Sequence, residues 1–442
     1  WSVPLALEYA HAHRRVFGQS ASARPDVTHF APRYLMQAVF PAQGRVLSQS
    51  WGEGEGTLGA RHYARVFSAT DSAYQPAVLW AWNRVAGIKD QAAEEGDPEI
   101  PAADAEDPMD AVFTLINYPL ELHPQHPEQV MDKTWAAPGR GGYIFRNGWK
   151  GEDDIVAQVF LKTMPPTGWS QPNAGSLRIR GLGHVWALKG NMPKSGERIF
   201  ENVVLLPEDP VYGNGGAFPT SLVTRKDGSG AITMDMGLLY RSKKTVKVIK
   251  DGQEREAELD TYQDNAWRPE NLTDLGIKGL RAFAADYSDA SGAPGLFVLV
   301  DTIEGGKSKV WTWQLPTTGK GKDFKVAEVD IAGNAFTLKQ GDATLKATFI
   351  APADVKIERI AGEKELRVVT SSTRMEWGVK KFTLGAIQVT GADPNAGDFM
   401  VVMTLQRGEA PAVSATGTGL DAKVTVGRQT VRFDGQRIVF GE

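Results

Sequence analysis

Along the first 90 residues the apolar positions recur every three or four residues, and beyond about residue 111 they recur every two. In "VPLALEYAHAHRRVF", Leu5, Tyr9, Ala12 and Val16 fall on one stripe of a helix. "PRYLMQAVFPAQG" starts with Pro32, tolerated in a first helical turn, and its apolar run closes at Pro41 and Gly44. A glycine-rich loop, "SWGEGEGTLG", then leads to the helical patterns "ARHYARVFSA" and "YQPAVLWAWNRVAG". The later runs are short and rich in Val, Ile, Phe, Thr and Trp: "DIVAQVFLKT", "GSLRIRG", "HVWALKG", "GLFVLVDTI", "KVWTWQL", "DFMVVMTLQ". Their close spacing predicts antiparallel sheets in a sandwich, and the lack of alternating long helices argues against a parallel α/β fold. The fold class expected is α+β and multidomain: helices over 1–117, an antiparallel β-sandwich over 118–380 and an accessory β-sheet over 381–442.

Composition narrows the function classes. The 442 residues are 42% hydrophobic and 23% charged, with a formal charge of -4, so the basic excess of a nucleic-acid binder is missing. No apolar run approaches the roughly 20 residues that cross a bilayer, so no membrane span is expected. Zero cysteines exclude disulfides and thiolate metal sites and suit a periplasmic or secreted protein, with a cytosolic one still open. Residues 90–110 hold nine acidic side chains and no basic one, which reads as a solvated linker near a domain border. "GEGEG" and "GNGG" lack the strand-loop-helix setting and following Lys of a phosphate loop and read as turns.

Four segments carry a resemblance. "FPAQGRVLSQSWGEGEG", "GGYIFRNGW" with "DDIVAQVFLKT", "NAGSLRIRGLGHVWA" with "ERIFENVV", and "GLFVLVDTIEGGKSKVWTWQL" together resemble the heparinase II/III-like polysaccharide lyases. The resemblance implies a partial (α/α) toroid in the helical part, with earlier toroid helices upstream of Trp1, followed by the sandwich. It also implies β-elimination on an acidic, uronate-containing polysaccharide and periplasmic or secreted localisation. In that chemistry a base removes the C5 proton, an acid protonates the leaving oxygen, and polar or cationic groups neutralise the carboxylate. No cofactor is expected, and no metal, because the zinc ligands that the resemblance implies find no match. Where the resemblance implies a His-rich loop and a His-Asn pair, this chain has Trp169, Ser170, Gln171, Pro172 and Asn173, and then Glu201 and Asn202. A carboxylate facing a uronate is repelled by it, so either the substrate differs or activity is lost.

The candidates for proton transfer are Tyr63, His62 and Glu201; those for substrate contact are Trp51, Glu53, Trp169, Asn173, Arg198 and Asn202. Each has a plainer reading. Adjacent helical residues point about 100° apart, so His62 and Tyr63 do not easily share one target, and packing is the default for Tyr63. Arg178 and Arg180 alternate with Leu177 and Ile179, as on a solvated sheet face. His184 reads as a packed or surface strand residue, and most Trp residues as core, with Trp51 and Trp169 the loop tryptophans suited to a sugar platform. Two alternatives stay open. One is a non-catalytic carbohydrate-binding or assembly protein, favoured by Glu201; the other is a glycoside hydrolase using Glu53 and Glu201, which needs carboxylates about 5–10 Å apart.

Overall fold

The computed structural model describes residues 9, 12–13, 16–18, 28–39, 46–49, 55–58, 60–86, 108–163, 172–190, 198–213, 215–250, 252–259, 264–265, 268–318, 324–371 and 376–441. The chain divides into two compact units, one of residues 1–50, 54–135 and 146–156, the other of residues 51–53, 136–145 and 157–442.

The first unit holds the helices Phe30–Gln37, Ala60–Ala64, Gln75–Ala86, Pro108–Asn117 and Pro127–Val130. Gln75–Ala86 is buried along Ala77–Asn83 because its apolar residues are nearly continuous. Trp82 meets Tyr118 edge to face, the Tyr118 hydroxyl donates to Asn83 Oδ1 at 2.9 Å, and Asn117 Nδ2 donates to the Ala64 carbonyl at 2.7 Å. The helix expected to run to Pro41 ends at Gln37, and Ala38–Val39 is a strand instead. The cause lies far along the chain. Arg146 Nη1 donates to the carbonyls of Leu35, Met36 and Ala38 at 2.8, 3.0 and 3.1 Å, capping the helix end with a buried guanidinium that also lies 3.5 Å from Asp154. Among the described residues no (α/α) toroid is evident, and no helix is long and apolar enough to cross a membrane.

The second unit is antiparallel β, as the two-residue period predicts. Its main sheet has eight strands in the order Phe218–Thr224, Gly230–Asp235, Lys278–Asp286, Gly295–Glu304, Phe399–Arg407, Ala343–Ala351, Ala335–Gln340 and Val329–Ala332. Both faces of its centre are apolar. On one, Ala282, Ala284, Leu296, Val298, Val300, Met400 and Val402 pack against Val424, Val426, Val431, Phe433, Ile438 and Phe440 of the four-stranded sheet over 413–440. On the other, Phe283 meets Phe145 and Phe297, and Phe349 meets Trp311 at 5.2 Å. Trp311 belongs to a second four-stranded sheet ordered Val355–Ser371, Glu376–Gly391, Val310–Gln314, Val204–Leu205, so residue 381 falls inside a strand. In a further sheet Ser176–Gly181 pairs with His184–Ala187. Leu182 and Gly183, both at positive φ (52° and 79°), make the two-residue turn between them.

Candidate functional site

The strand Ser176–Gly181 is buried along its whole length, which corrects the solvated-face reading of Arg178 and Arg180. The alternation itself is real. Arg178 is 1% exposed because its Nη2 donates to Glu201 Oε2 at 2.9 Å and its Nη1 to Ser176 Oγ at 2.8 Å, while Ser176 Oγ donates to the same carboxylate oxygen at 2.6 Å. Glu201 follows the 3-10 turn Arg198–Phe200 and is fully buried. Asn202 is equally engaged: Nδ2 donates to the carbonyls of Leu177 and Leu188 at 3.0 and 2.9 Å, and Oδ1 accepts the Gln314 amide at 2.7 Å.

A second buried pair adjoins this one through Arg281. Arg281 and Asp301 are cross-strand partners, joined by two bonds: Nε to Oδ1 at 2.6 Å and Nη2 to Oδ2 at 2.9 Å. Arg281 Nη1 donates to the carbonyls of Gly175 and Asn202, both at 2.7 Å. One guanidinium thus holds the start of Ser176–Gly181 and the Glu201–Asn202 turn together. Gly175 (φ +77°) leaves room for Met236, which any Cβ there would strike.

Two further cations join the cluster. Arg198 is half-buried; its Nη1 reaches the carbonyls of Ala174 and Gly213 at 3.4 Å each, and its Nη2 is buried with no hydrogen-bond partner among the described residues. Burial lowers its affinity for the proton, with Tyr240 acting in the opposite sense. Lys162 adopts positive φ (53°) and is 6% exposed. Burial and then the Arg198 charge push its ammonium down to about 7, with Glu201 pulling the other way. Tyr240 is pushed up to about 12, mainly by burial, so its phenol stays protonated at neutral pH. Three guanidinium groups, Arg178, Arg198 and Arg281, and the Lys162 amine, charged in only part of the population at neutral pH, therefore lie with two carboxylates, Glu201 and Asp301. A surplus of buried positive charge with an unbonded donor suits an anionic group.

Of the residues nominated from the sequence, Arg198, Glu201, Asn202 and Asn173 come together here, Asn173 being 4% exposed with its carbonyl accepting the Ser176 amide at 3.1 Å. Tyr63 lies in the core of the other unit, 1% exposed, with its hydroxyl unpartnered among the described residues; burial raises its pKa far above the usual tyrosine range. Tyr63→Phe is expected to raise stability by about 1 kcal/mol, since it removes an unsatisfied buried hydroxyl. Urea unfolding at neutral pH measures this, and a loss of stability would mean that the hydroxyl is bonded. His62 is helical but its side chain, like Trp51, Glu53 and Trp169, lies outside the described residues. His184 packs against Trp186 at 5.9 Å, and Trp186, Trp311 and Trp313 are fully buried. Among the described residues no group of three or more His, Asp or Glu side chains is arranged to hold a metal.

Lys162, Tyr240, Arg281 and Asp301 were not singled out by the sequence reading. A signal existed for two of them: "KGLRAFAAD" and "GLFVLVDTIE" are apolar strands, each with one opposite charge in its middle. Charges so placed need a buried partner.

No family model matches the sequence, and no curated protein matches it. Solved structures do. The chain is similar to a heparinase III gene product (13% identity, TM-score 0.48, covering 93% of this chain and 52% of that one). It is also similar to heparan sulfate lyase HepC from Pedobacter heparinus (14%, 0.44, 84% and 48%) and to a further heparinase III (10%, 0.43, 86% and 58%). The likeness is distant. The chain spans about half the length of these structures.

Proposed function

We propose that this chain binds an acidic, uronate-containing polysaccharide and cleaves it by β-elimination, with the buried cluster of the β unit receiving the uronate carboxylate. The observation that carries this reading is the half-buried Arg198 with its unbonded Nη2, in a cluster where cations outnumber carboxylates. β-Elimination needs three kinds of group, and this reading assigns one residue of the cluster to each. Arg198 neutralises the carboxylate, which acidifies the C5 proton. Lys162, neutral in part of the population at neutral pH, is a base that can take that proton. Tyr240, protonated there, is an acid for the leaving glycosidic oxygen. His62 as a proton-transfer residue, and Trp51, Glu53, Trp169 and Asn173 as substrate contacts, remain proposals from the sequence. Such a polymer does not cross a membrane, so the reading also puts the protein in the periplasm or outside the cell.

A second reading, binding without turnover, has its own support. At the positions where the resemblance implies a His-Asn pair, Asn202 is bonded internally through both side-chain atoms and Glu201 through Oε2, while Glu201 Oε1 has no hydrogen-bond partner among the described residues. One experiment separates the two. Binding and release of unsaturated uronate are followed on the same sample with glycosaminoglycans, alginate and ulvan. Binding with product on at least one polymer supports the lyase; binding without product on all of them supports the second reading; no binding sinks both.

A further inference from the structure

In the helical unit a separate group of aromatic side chains lies at the surface. His29 precedes the helix Phe30–Gln37, Tyr74 precedes Gln75–Ala86, and Trp135 stands near the start of the strand Thr134–Ala137. The rings meet edge to face or tilted, with centroids 5.4 Å apart for His29 and Tyr74, 5.4 Å for His29 and Trp135, and 5.7 Å for Tyr74 and Trp135. All three are partly exposed. Among the tryptophans whose side chains are described, Trp135 alone is not buried, whereas Trp82 and Trp313 are packed away from solvent.

Two carboxylates accompany the rings. Asp71 Oδ2 lies 3.8 Å from His29 Nε2, its Oδ1 accepts the Ala73 amide at 3.0 Å, and its side chain is 43% exposed. Asp132 is exposed; burial first, and then the charges of Asp71 and Asp132, raise the pKa of the Tyr74 phenol. Lys133, the adjacent cation, is held by Glu128 at 3.0 Å.

We propose that His29, Tyr74, Trp135, Asp71 and Asp132 form a binding patch for a sugar ring that carries a free amino group. An indole face stacks on the C–H face of a pyranose. An ammonium group is drawn both to aromatic faces and to carboxylates, whereas a uronate is repelled by the two aspartates. The patch stands on the helical unit alone and does not depend on the chemistry assigned to the β unit.

The test titrates the whole chain by calorimetry with a glucosamine oligosaccharide, its N-acetylated counterpart and an oligogalacturonate. None of the outcomes with the first two probes involves the uronate reading. The glucosamine oligomer is expected to bind, the N-acetylated one about tenfold more weakly, and the oligogalacturonate not to compete for the patch. Trp135→Ala and the exposed Asp132→Asn are each expected to weaken glucosamine binding about tenfold. The absence of glucosamine binding overturns the proposal. So does binding that both variants leave unchanged, or displacement of the glucosamine oligomer by oligogalacturonate.

Discussion

Arg281→Met lowers the stability of the β unit by about 3–5 kcal/mol, because it leaves the Asp301 carboxylate buried without its partner. The carbonyls of Gly175 and Asn202 also lose their donor, so the strand Ser176–Gly181 and the Glu201–Asn202 turn are no longer tied together. Replacing both members, Arg281→Met with Asp301→Leu, removes the unpaired charge but not the orphaned carbonyls. The double variant is therefore less stable than the parent and more stable than Arg281→Met by at least about 1 kcal/mol. Urea midpoints of the parent, the two single variants and the double variant decide it. A double variant as weak as Arg281→Met would mean that the carbonyl bonds, not the charge, carry the loss.

Lys162→Met acts in the opposite direction on stability. Burial holds the folded-state pKa of this lysine at about 7, below the ordinary lysine value of 10.5. Between those two values the unfolded chain binds the proton and the folded chain releases it, so this group makes stability rise with pH across that window. Below about pH 7 the lysine is charged in both states and its full penalty is present. Met keeps the length of the side chain and removes the charge, so the variant is expected to be more stable at pH 7 by a few kcal/mol, on the order of the shift involved. Its melting temperature should also climb less between pH 7 and 9 than that of the parent. Under the lyase reading, product formation falls by a factor of at least about 100, the scale on which a lost general base acts. A gain in stability with loss of turnover is the pattern of a functional residue that strains its own site.

The sequence made the antiparallel β unit legible because its two-residue period is strong where both faces are apolar, as in Lys278–Asp286 and Gly295–Glu304. It was less informative about charges inside strands. Arg178 and Arg180 follow the alternation of a half-exposed strand, yet the strand is buried, and the partner of Arg178 lies at Glu201, beyond a hairpin and a 3-10 turn. Glu201 looked awkward for a uronate site; in the structure it is the counter-charge of Arg178. The end of the helix Phe30–Gln37 has the same kind of cause, since Arg146 reaches it from more than a hundred residues away. Local periodicity carries no record of such distant pairings. Lys162 and Tyr240 were missed for this reason: each looks ordinary within its own segment, and only the neighbours brought by folding shift their proton affinities.

On the proposed function, the cations beside Glu201 receive a uronate carboxylate. The most direct measurement is the rate of unsaturated-uronate release by the parent, Arg198→Met and Lys162→Met on a panel of glycosaminoglycans, alginate and ulvan. Product is expected from at least one polymer with the parent, with weakened polymer binding in Arg198→Met and retained binding without product in Lys162→Met. Parent-like binding and turnover in both variants would contradict it.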